Sequence, residues 1–336
     1  MVNLTQTPIC TIAIPVYNRS ELIKYSLESA LSQDISNIEI LVVDNCSTDD
    51  TWELLNSYKD SRLRLIRNES NIGMFGNFNR CLELATGKYL RILCSDDYLE
   101  NKSLKKEIEY MEKYPSAALL TTSYVTVNKE RKYLSTSYNY FKPGIYKGKY
   151  MIYNAIWICA SYNDNLFNYP SGVLIRRDAA MRCGLFDNGF NFTADLDYWL
   201  RLLEFGDLII LHDIGCSILE HSGREANSLF LNGCLMHDKF EIARRRKRLL
   251  QSFDEQLFSD IMKKLAGYCF WYVLKTFAKN QKESANIHLK MIDTYGISYA
   301  DSIIFFLFHV IEMLRLRMFC NHRVLFDSEA RISYLG

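Results

Sequence analysis

The stretch YLRILCSDDYL, Tyr89–Leu99, decides how this chain reads. An apolar run from Tyr89 to Cys94 has the length of one buried strand and stops at two adjacent carboxylates, Asp96 and Asp97. Like charges side by side at a strand end are costly unless something cationic uses them. A divalent metal is the simplest such partner, and it implies a substrate with negative charge of its own, such as a diphosphate. The competing reading is a solvated turn whose carboxylates cap the helix that follows.

Outward from that strand the same rhythm repeats. Ile9–Val16, Glu39–Val43 and Leu63–Ile66 read as short apolar strands. Between them, Glu21–Leu31, Trp52–Tyr58 and Phe75–Ala85 carry helical periodicity. Short strands alternating with helices predict an α/β fold of Rossmann-like type, a mostly parallel central sheet with helices on both faces. Ligands of such sheets bind beyond the carboxyl ends of the strands. Pro15, Tyr17, Asn18, Asp44, Asn71, Asp96 and Asp97 all fall at or beyond those ends.

Farther along, Asn101–Tyr114 reads as a helix and Ala117–Val127 as a strand. Residues 128–150 read as an irregular, aromatic, acceptor-facing loop, and 162–170 as a second one. Helical character resumes near Tyr150–Cys159, and a short strand at Gly172–Ile175 precedes a helix at Arg177–Cys183. Asp195–Phe205 reads as a helix, Leu208 to His221 as extended chain, and the chain from about Leu235 as almost entirely helical. The expected division is a domain over residues 1–230, split near residue 100, and a helical region over 231–336.

Composition narrows the chemistry. A net charge of +1 gives no case for nucleic-acid binding. The ten cysteines include no CxxC pair, so they read as free thiols of a reducing compartment rather than a disulfide or zinc framework. The first residues lack a basic segment followed by an apolar run, so no signal peptide is expected. No run approaches 18 apolar residues, which argues against a spanning helix. The histidines form no HxH or HExxH cluster, and GMFGNF lacks the third glycine of a dinucleotide fingerprint.

Three further residues are candidates for chemistry. Asp44, tight against its strand, can accept hydrogen bonds from a ribose or base edge, or close an Asx-turn in its Ser/Thr-rich loop. Asp195, in FTADLDYWLRLLEFG, opens a helix and is either its N-cap or a general base, with Asp197 as the alternative cap. His221, in ILEHSGRE, can reach a phosphate or lie on the surface.

Taken in order, TIAIPVYNR, VVDNCSTDDT, RNESNIGMFGNFNRCLELATGKYL, CSDDYL, PSGVLIRRDAAMRCGLFDNGF and ADLDYWLRLLEFG resemble the family 2 glycosyltransferases, over roughly residues 9–225. That resemblance implies a GT-A fold and a nucleotide-diphosphate sugar as donor. It puts Pro15, Tyr17 and Asn18 along the nucleotide pocket, Asp44 on the nucleoside, and Asn71 and Gly73 beside base and ribose. The family's metal-binding D-x-D falls on Cys94, Ser95 and Asp96, with cysteine in the first aspartate's place. Asp96 is then the contact for Mn2+ or Mg2+, Asp97 lies near the donor sugar, and His221 matches a histidine near metal and diphosphate. Asp195 matches the catalytic base, with Ala194 where many members carry glutamate. The implied reaction is displacement with inversion onto an oligosaccharide hydroxyl, on a polyprenyl-diphosphate lipid in O-antigen or capsule synthesis. The implied location is cytoplasmic, peripheral on the inner face of the bacterial plasma membrane.

ARRRKR, Ala243–Arg248, and the aromatic segments LAGYCFWYVLKTFAK and IIFFLFHVIEMLRLRMF read either as a helical subdomain packed on the catalytic domain or as a patch for an anionic membrane. Two competing functions stay open. One is a glycan- or nucleotide-sugar-binding protein of this fold without turnover, suggested by Cys94 and Ala194. The other is a nucleotidyltransferase, which would show an early glycine-rich basic loop where this chain has Tyr17-Asn18-Arg19-Ser20.

Overall fold

The computed structural model describes residues 7–162, 164–167, 169–220, 233–318 and 331–334. The N-terminal half alternates as expected: β1 (Cys10–Val16), α1 (Ile23–Leu31), β2 (Ile38–Asp44), α2 (Thr51–Ser57), β3 (Leu63–Arg67), α3 (Met74–Leu84) and β4 (Tyr89–Ile92). Then come β5 (Tyr98–Leu99), α4 (Ser103–Lys113), β6 (Ala117–Val127), β7 (Tyr133–Ser137), β8 (Gly144–Tyr146) and α5 (Gly148–Tyr162). A 3-10 turn at Pro170–Gly172 leads into β9 (Val173–Arg176), α6 (Arg177–Cys183), α7 (Ala194–Leu202) and the long β10 (Asp207–Leu219). The C-terminal third is α8 (Cys234–Arg245), α9 (Lys247–Phe253), α10 (Leu257–Ala278), α11 (Lys282–Thr294), α12 (Tyr299–Met318) and a last strand, β11 (Arg331–Tyr334).

The described strands form one sheet, ordered β11-β8-β10-β6-β9-β4-β1-β2-β3, with β5 against β10 and β7 against β6. β3, β2, β1 and β4 are mutually parallel. β9 runs against both β4 and β6, and β10 runs parallel to β6. Every residue of β1 and β2 is buried, as expected of parallel strands covered on both faces. Alternate residues serve opposite layers. Ala13, Leu41 and Val43 join the core under α3, α5 and α7, whereas Ile12, Ile14, Ile40 and Val42 join the core under α1 and α4.

One expectation fails here. Residues 128–150 are not an irregular loop: β7 returns along β6, and β8 pairs with β10. β7 begins with three exposed residues and β8 spans three positions, so neither shows the alternation that marks a strand. The final third is almost entirely helical, as expected, and β11 adds an antiparallel strand beside β8.

The C-terminal helices are not a separate layer. Met236, Phe240, Ile261, Leu265, Cys269 and Ile292 belong to the same core as α5 and α7. The Tyr268 hydroxyl donates to the Ser161 carbonyl at 2.9 Å. Most of the ARRRKR run is taken up within the fold. Arg244 pairs with Glu241, Arg245 with Asp187, and Arg246, only 6% exposed, with Asp197 at 3.0 Å. Asp197 is itself 1% exposed and also holds Arg201 at 2.8 Å. Removing one partner of such a pair strands a buried charge, so Asp197→Ala should lose about 3–5 kcal/mol of stability in urea unfolding. A loss below ~1 kcal/mol would show that this pairing does not hold α7 to α8 and α9.

Candidate active site

The strand order turns around between β1 and β4, and the crevice of a doubly wound sheet opens at that point. Two loops wall it on the β1–β2 side. Asn18 adopts a left-handed conformation, φ 49°, and its backbone N–H donates to Ser47 Oγ at 2.9 Å. Thr48 N–H donates to Asn18 Oδ1 at 2.8 Å, and Arg19 N–H to Thr51 Oγ1 at 2.9 Å. Asp44 is fully buried and turned to its own loop. It accepts from the Ser47 hydroxyl and, at 3.2 Å, from the Ser47 N–H, and it pairs with Arg67 Nε at 3.2 Å. In this arrangement Asp44 closes an Asx-type turn, and its carboxylate braces the loop.

Beside it runs a chain of amides in which Asn71, a candidate from the sequence, is joined by Asn45, Asn68 and Asn77, which the sequence did not single out. Asn45 Nδ2 donates to Asn71 Oδ1 at 2.9 Å and to the Gly73 carbonyl at 3.2 Å. Asn45 Oδ1 accepts from Asn68 Nδ2 at 2.9 Å and from the Ile72 N–H at 3.0 Å. Asn68 also reaches Asn77, which donates to the Val43 carbonyl at 2.9 Å. The clustering of asparagine in VVDNCSTDD and RNESNIGMFGNF was the available signal. Gly73 precedes α3 at φ 80°, a conformation that favours glycine. Tyr17, Asn71 and Gly73 are exposed at this rim, while Pro15 is buried within β1.

The paired carboxylates beyond β4 diverge. Asp97 is 4% exposed, and accepts from the Ser171 hydroxyl at 2.6 Å and the Leu219 N–H at 3.1 Å. Ser171 also accepts the Cys94 N–H at 3.0 Å, and its carbonyl takes Arg91 at 2.6 Å. Ser95 is buried between them in sequence. Asp96 faces the crevice, with Arg19 Nε 3.9 Å from its Oδ2. Burial, then the charges of Asp97 and Asp96, pushes the Cys94 thiol well above its usual range, so this position carries a neutral thiol. The charge of Asp195, in the first turn of α7, bears on the same thiol.

Asp195 is half-buried and is not the helix cap; that position is Thr193. Its Oδ1 accepts the Leu196 N–H at 2.8 Å, which leaves lone pairs for another donor. Burial pushes its pKa up to about 6, against the lowering by backbone N–H groups. Asp197 is not the cap either, being held by Arg201 and Arg246. The turn before α7 is set by Asp238 of α8, whose Oδ2 accepts the N–H groups of Asn191, Phe192 and Thr193 at 3.1, 2.8 and 3.1 Å. Ala194 is fully buried beneath it. Tyr169, 50% exposed, packs edge-on against Tyr124 at 5.4 Å, and the charges of Asp97, Asp164 and Asp195 bear on its phenol.

A divalent ion would take oxygen ligands here. Among the described residues no three His, Cys, Asp or Glu side chains converge to hold one. With Asp97 bound to Ser171 and Leu219, Asp96 is the carboxylate of the pair that would serve as a ligand to such an ion. His221 lies outside the described residues.

Comparison with known proteins agrees with this geometry. The chain is 42% identical over 104 residues to an Escherichia coli enzyme, "UDP-Glc:alpha-D-GlcNAc-diphosphoundecaprenol beta-1,3-glucosyltransferase WfaP", over 31% of this chain and 41% of that protein. The match thus spans less than half of that relative's length. An uncharacterized glycosyltransferase of Methanocaldococcus jannaschii is 27% identical over 290 residues, 85% of each chain. Residues 1–349 of TarS of S. aureus, solved with UDP-GlcNAc, superpose with a TM-score of 0.59 at 17% identity, over 86% of this chain and 93% of that one. The fold is therefore of the GT-A type, with a helical C-terminal extension. Residues 11–184 match the family described as "Glycosyl transferase family 2", and the chain belongs to that family.

Proposed function

We propose that this chain is an inverting glycosyltransferase, moving a sugar from a nucleotide-diphosphate sugar to a hydroxyl of a growing polysaccharide. The observation that carries this reading is Asp195, a half-buried carboxylate with a pKa near 6 on the crevice that Asp96 faces. A carboxylate of that basicity is well matched to accept a hydroxyl proton near neutral pH. Asp195 takes the proton, the hydroxyl oxygen bonds to the anomeric carbon, and the bond to the diphosphate oxygen breaks on the opposite face. The amide chain from Asn45 to Asn77 shapes the wall beyond β2, where a nucleoside fits. A bound Mn2+ or Mg2+ would place positive charge on the leaving diphosphate. The other reading is a binding protein without turnover, favoured by the neutral Cys94 thiol in place of the first aspartate.

The Escherichia coli relative's activity, on an alpha-D-GlcNAc-diphosphoundecaprenol, supports a lipid diphosphate as acceptor, and with it a place at a membrane surface. No helix among the described residues is long and apolar enough to cross a bilayer. Trp271, Leu274 and Phe277 of α10 and Ile304 and Leu307 of α12 are exposed, Phe277 to 65%. Lys264, Lys275, Lys279 and Lys282 punctuate this stretch without an intervening carboxylate. That combination suits an anionic lipid surface better than ARRRKR does, because Arg244, Arg245 and Arg246 are already paired.

Asp195→Asn should abolish transfer, assayed with a panel of nucleotide sugars and a polyprenyl-diphosphate oligosaccharide acceptor, while nucleotide binding persists. Full activity in that variant rejects Asp195 as the base. Wild-type turnover should fall with acid as pH drops through about 6, since the base must be ionised. The same substitution should stabilise the protein. A carboxylate whose folded pKa is raised is penalised once ionised, so the gain, about 1–3 kcal/mol, is present at pH 8 and vanishes as pH falls toward 4. Chemical unfolding at both values checks the sign. Full-length protein should float with vesicles rich in phosphatidylglycerol, and Trp271→Ser with Phe277→Ser should cut the floated fraction severalfold. Equal flotation of wild type and double variant removes this face from consideration.

A further inference from the structure

We propose that Arg19 is the side chain that grips the diphosphate of the donor and of the departing nucleotide. This rests on reading the crevice as a nucleotide-sugar site, and assigns a binding role to a residue not singled out in the sequence. Arg19 follows β1 and Asp96 follows β4, so the two face each other across the point where the sheet's strand order turns around. Ligands enter an open α/β sheet at this point, and a phosphate group there lies against whatever charge the two loops carry.

The two arginines on this side of the sheet are held very differently. Arg67 is pinned: Nε pairs with the buried Asp44 at 3.2 Å, Nη2 donates to the Ser47 carbonyl at 2.7 Å, and the guanidinium lies over Trp52. It braces a loop. Arg19 has a fixed backbone and a loose head. Its N–H donates to Thr51 Oγ1, and the preceding residue, Asn18, is held by the Thr48 N–H. Its side chain is 41% exposed, with Nη1 on the Asn18 carbonyl at 3.2 Å and Nε a long 3.9 Å from Asp96. A guanidinium so placed can turn from a carboxylate to a diphosphate while its main chain stays still, and its planar fork suits two phosphate oxygens at once. Without such a cation, Asp96 and the diphosphate would repel across the crevice. With it, that repulsion is offset by a positive charge 3.9 Å from the Asp96 carboxylate. Cys94 in place of an aspartate lowers the negative charge on the β4 side, and so raises the relative weight of Arg19 in holding the anion.

The test is calorimetric titration of the full chain with UDP, GDP and dTDP and their monophosphates, in EDTA and again in Mn2+. Arg19→Ala should weaken whichever diphosphate the wild type binds by about tenfold in EDTA, and the matching monophosphate by less than ~2-fold. Arg19→Lys, which keeps the charge and loses the fork, should fall between. Thermal unfolding of both variants should match wild type, because the side chain makes only peripheral contacts. Unchanged diphosphate affinity in Arg19→Ala, or equal weakening of mono- and diphosphate, overturns the assignment and leaves the nucleotide site standing. Failure of the wild type to bind any of the six nucleotides overturns the nucleotide-sugar reading, and this inference with it.

Discussion

A carboxylate with 4% exposure has to be neutralised by donors, and Asp97 draws them from across the chain. Ser171 comes from the turn before β9 and Leu219 from the end of β10, 74 and 122 residues away in sequence. The Asp97 main-chain carbonyl takes the Ser26 hydroxyl of α1 at 2.6 Å, and that hydroxyl also reaches the Cys94 carbonyl. One buried residue therefore fastens β9 and β10 through its carboxylate and α1 through its main-chain carbonyl, just beyond β4. Asp96 faces the crevice because its neighbour cannot turn that way. The division of labour between two identical adjacent residues is a matter of which neighbours the fold delivers.

The resemblance gave the two aspartates different tasks, but the partners that hold Asp97 could not be read from sequence, for a physical reason. Two aspartates in a row look equivalent until residues far along the chain arrive beside one of them. Asp44 shows the same thing at shorter range, since Ser47 and Arg67 occupy a carboxylate whose position left a ligand contact and an Asx-turn both open. What could be read were features set by local period and burial. β1, β2 and β4 stand out because both of their faces are covered, and α7 because Trp199 and Leu202 recur on one buried side. β7, β8 and β11 could not be read, being short or exposed strands that owe their form to a neighbouring edge. The arginines of ARRRKR looked like a solvent-facing charge run because their partners, Asp187 and Asp197, lie about 50 residues or more upstream.

The crevice has two electrostatic characters. Toward β2 and α3 it is walled by Asn45, Asn68, Asn71 and Asn77, neutral groups that hold one another through paired donors and acceptors. Toward β4 and α7 it carries Asp96, Asp195 and Arg19, charges whose balance changes with pH and with any anion that arrives. A rigid amide wall keeps its shape in either protonation state of Asp195. The pH response is thereby confined to the end where a bond would be made.

The support of α7 bears on how this chain relates to its kin. Asp238 and Arg246 lie well past the segment that matches the family, yet they set the turn and the first coil of the helix that carries Asp195. α7 itself begins past that segment, so the sheet that matches the family is joined to the final third through α7, and the final third is no detachable anchor. A chimera joining one member's N-terminal sheet to another's C-terminal helices would mismatch α7 before any ligand reached it. In lineages of this kind the heritable unit would be the sheet together with its helical brace, and drift in Asp197 would be constrained by Arg246.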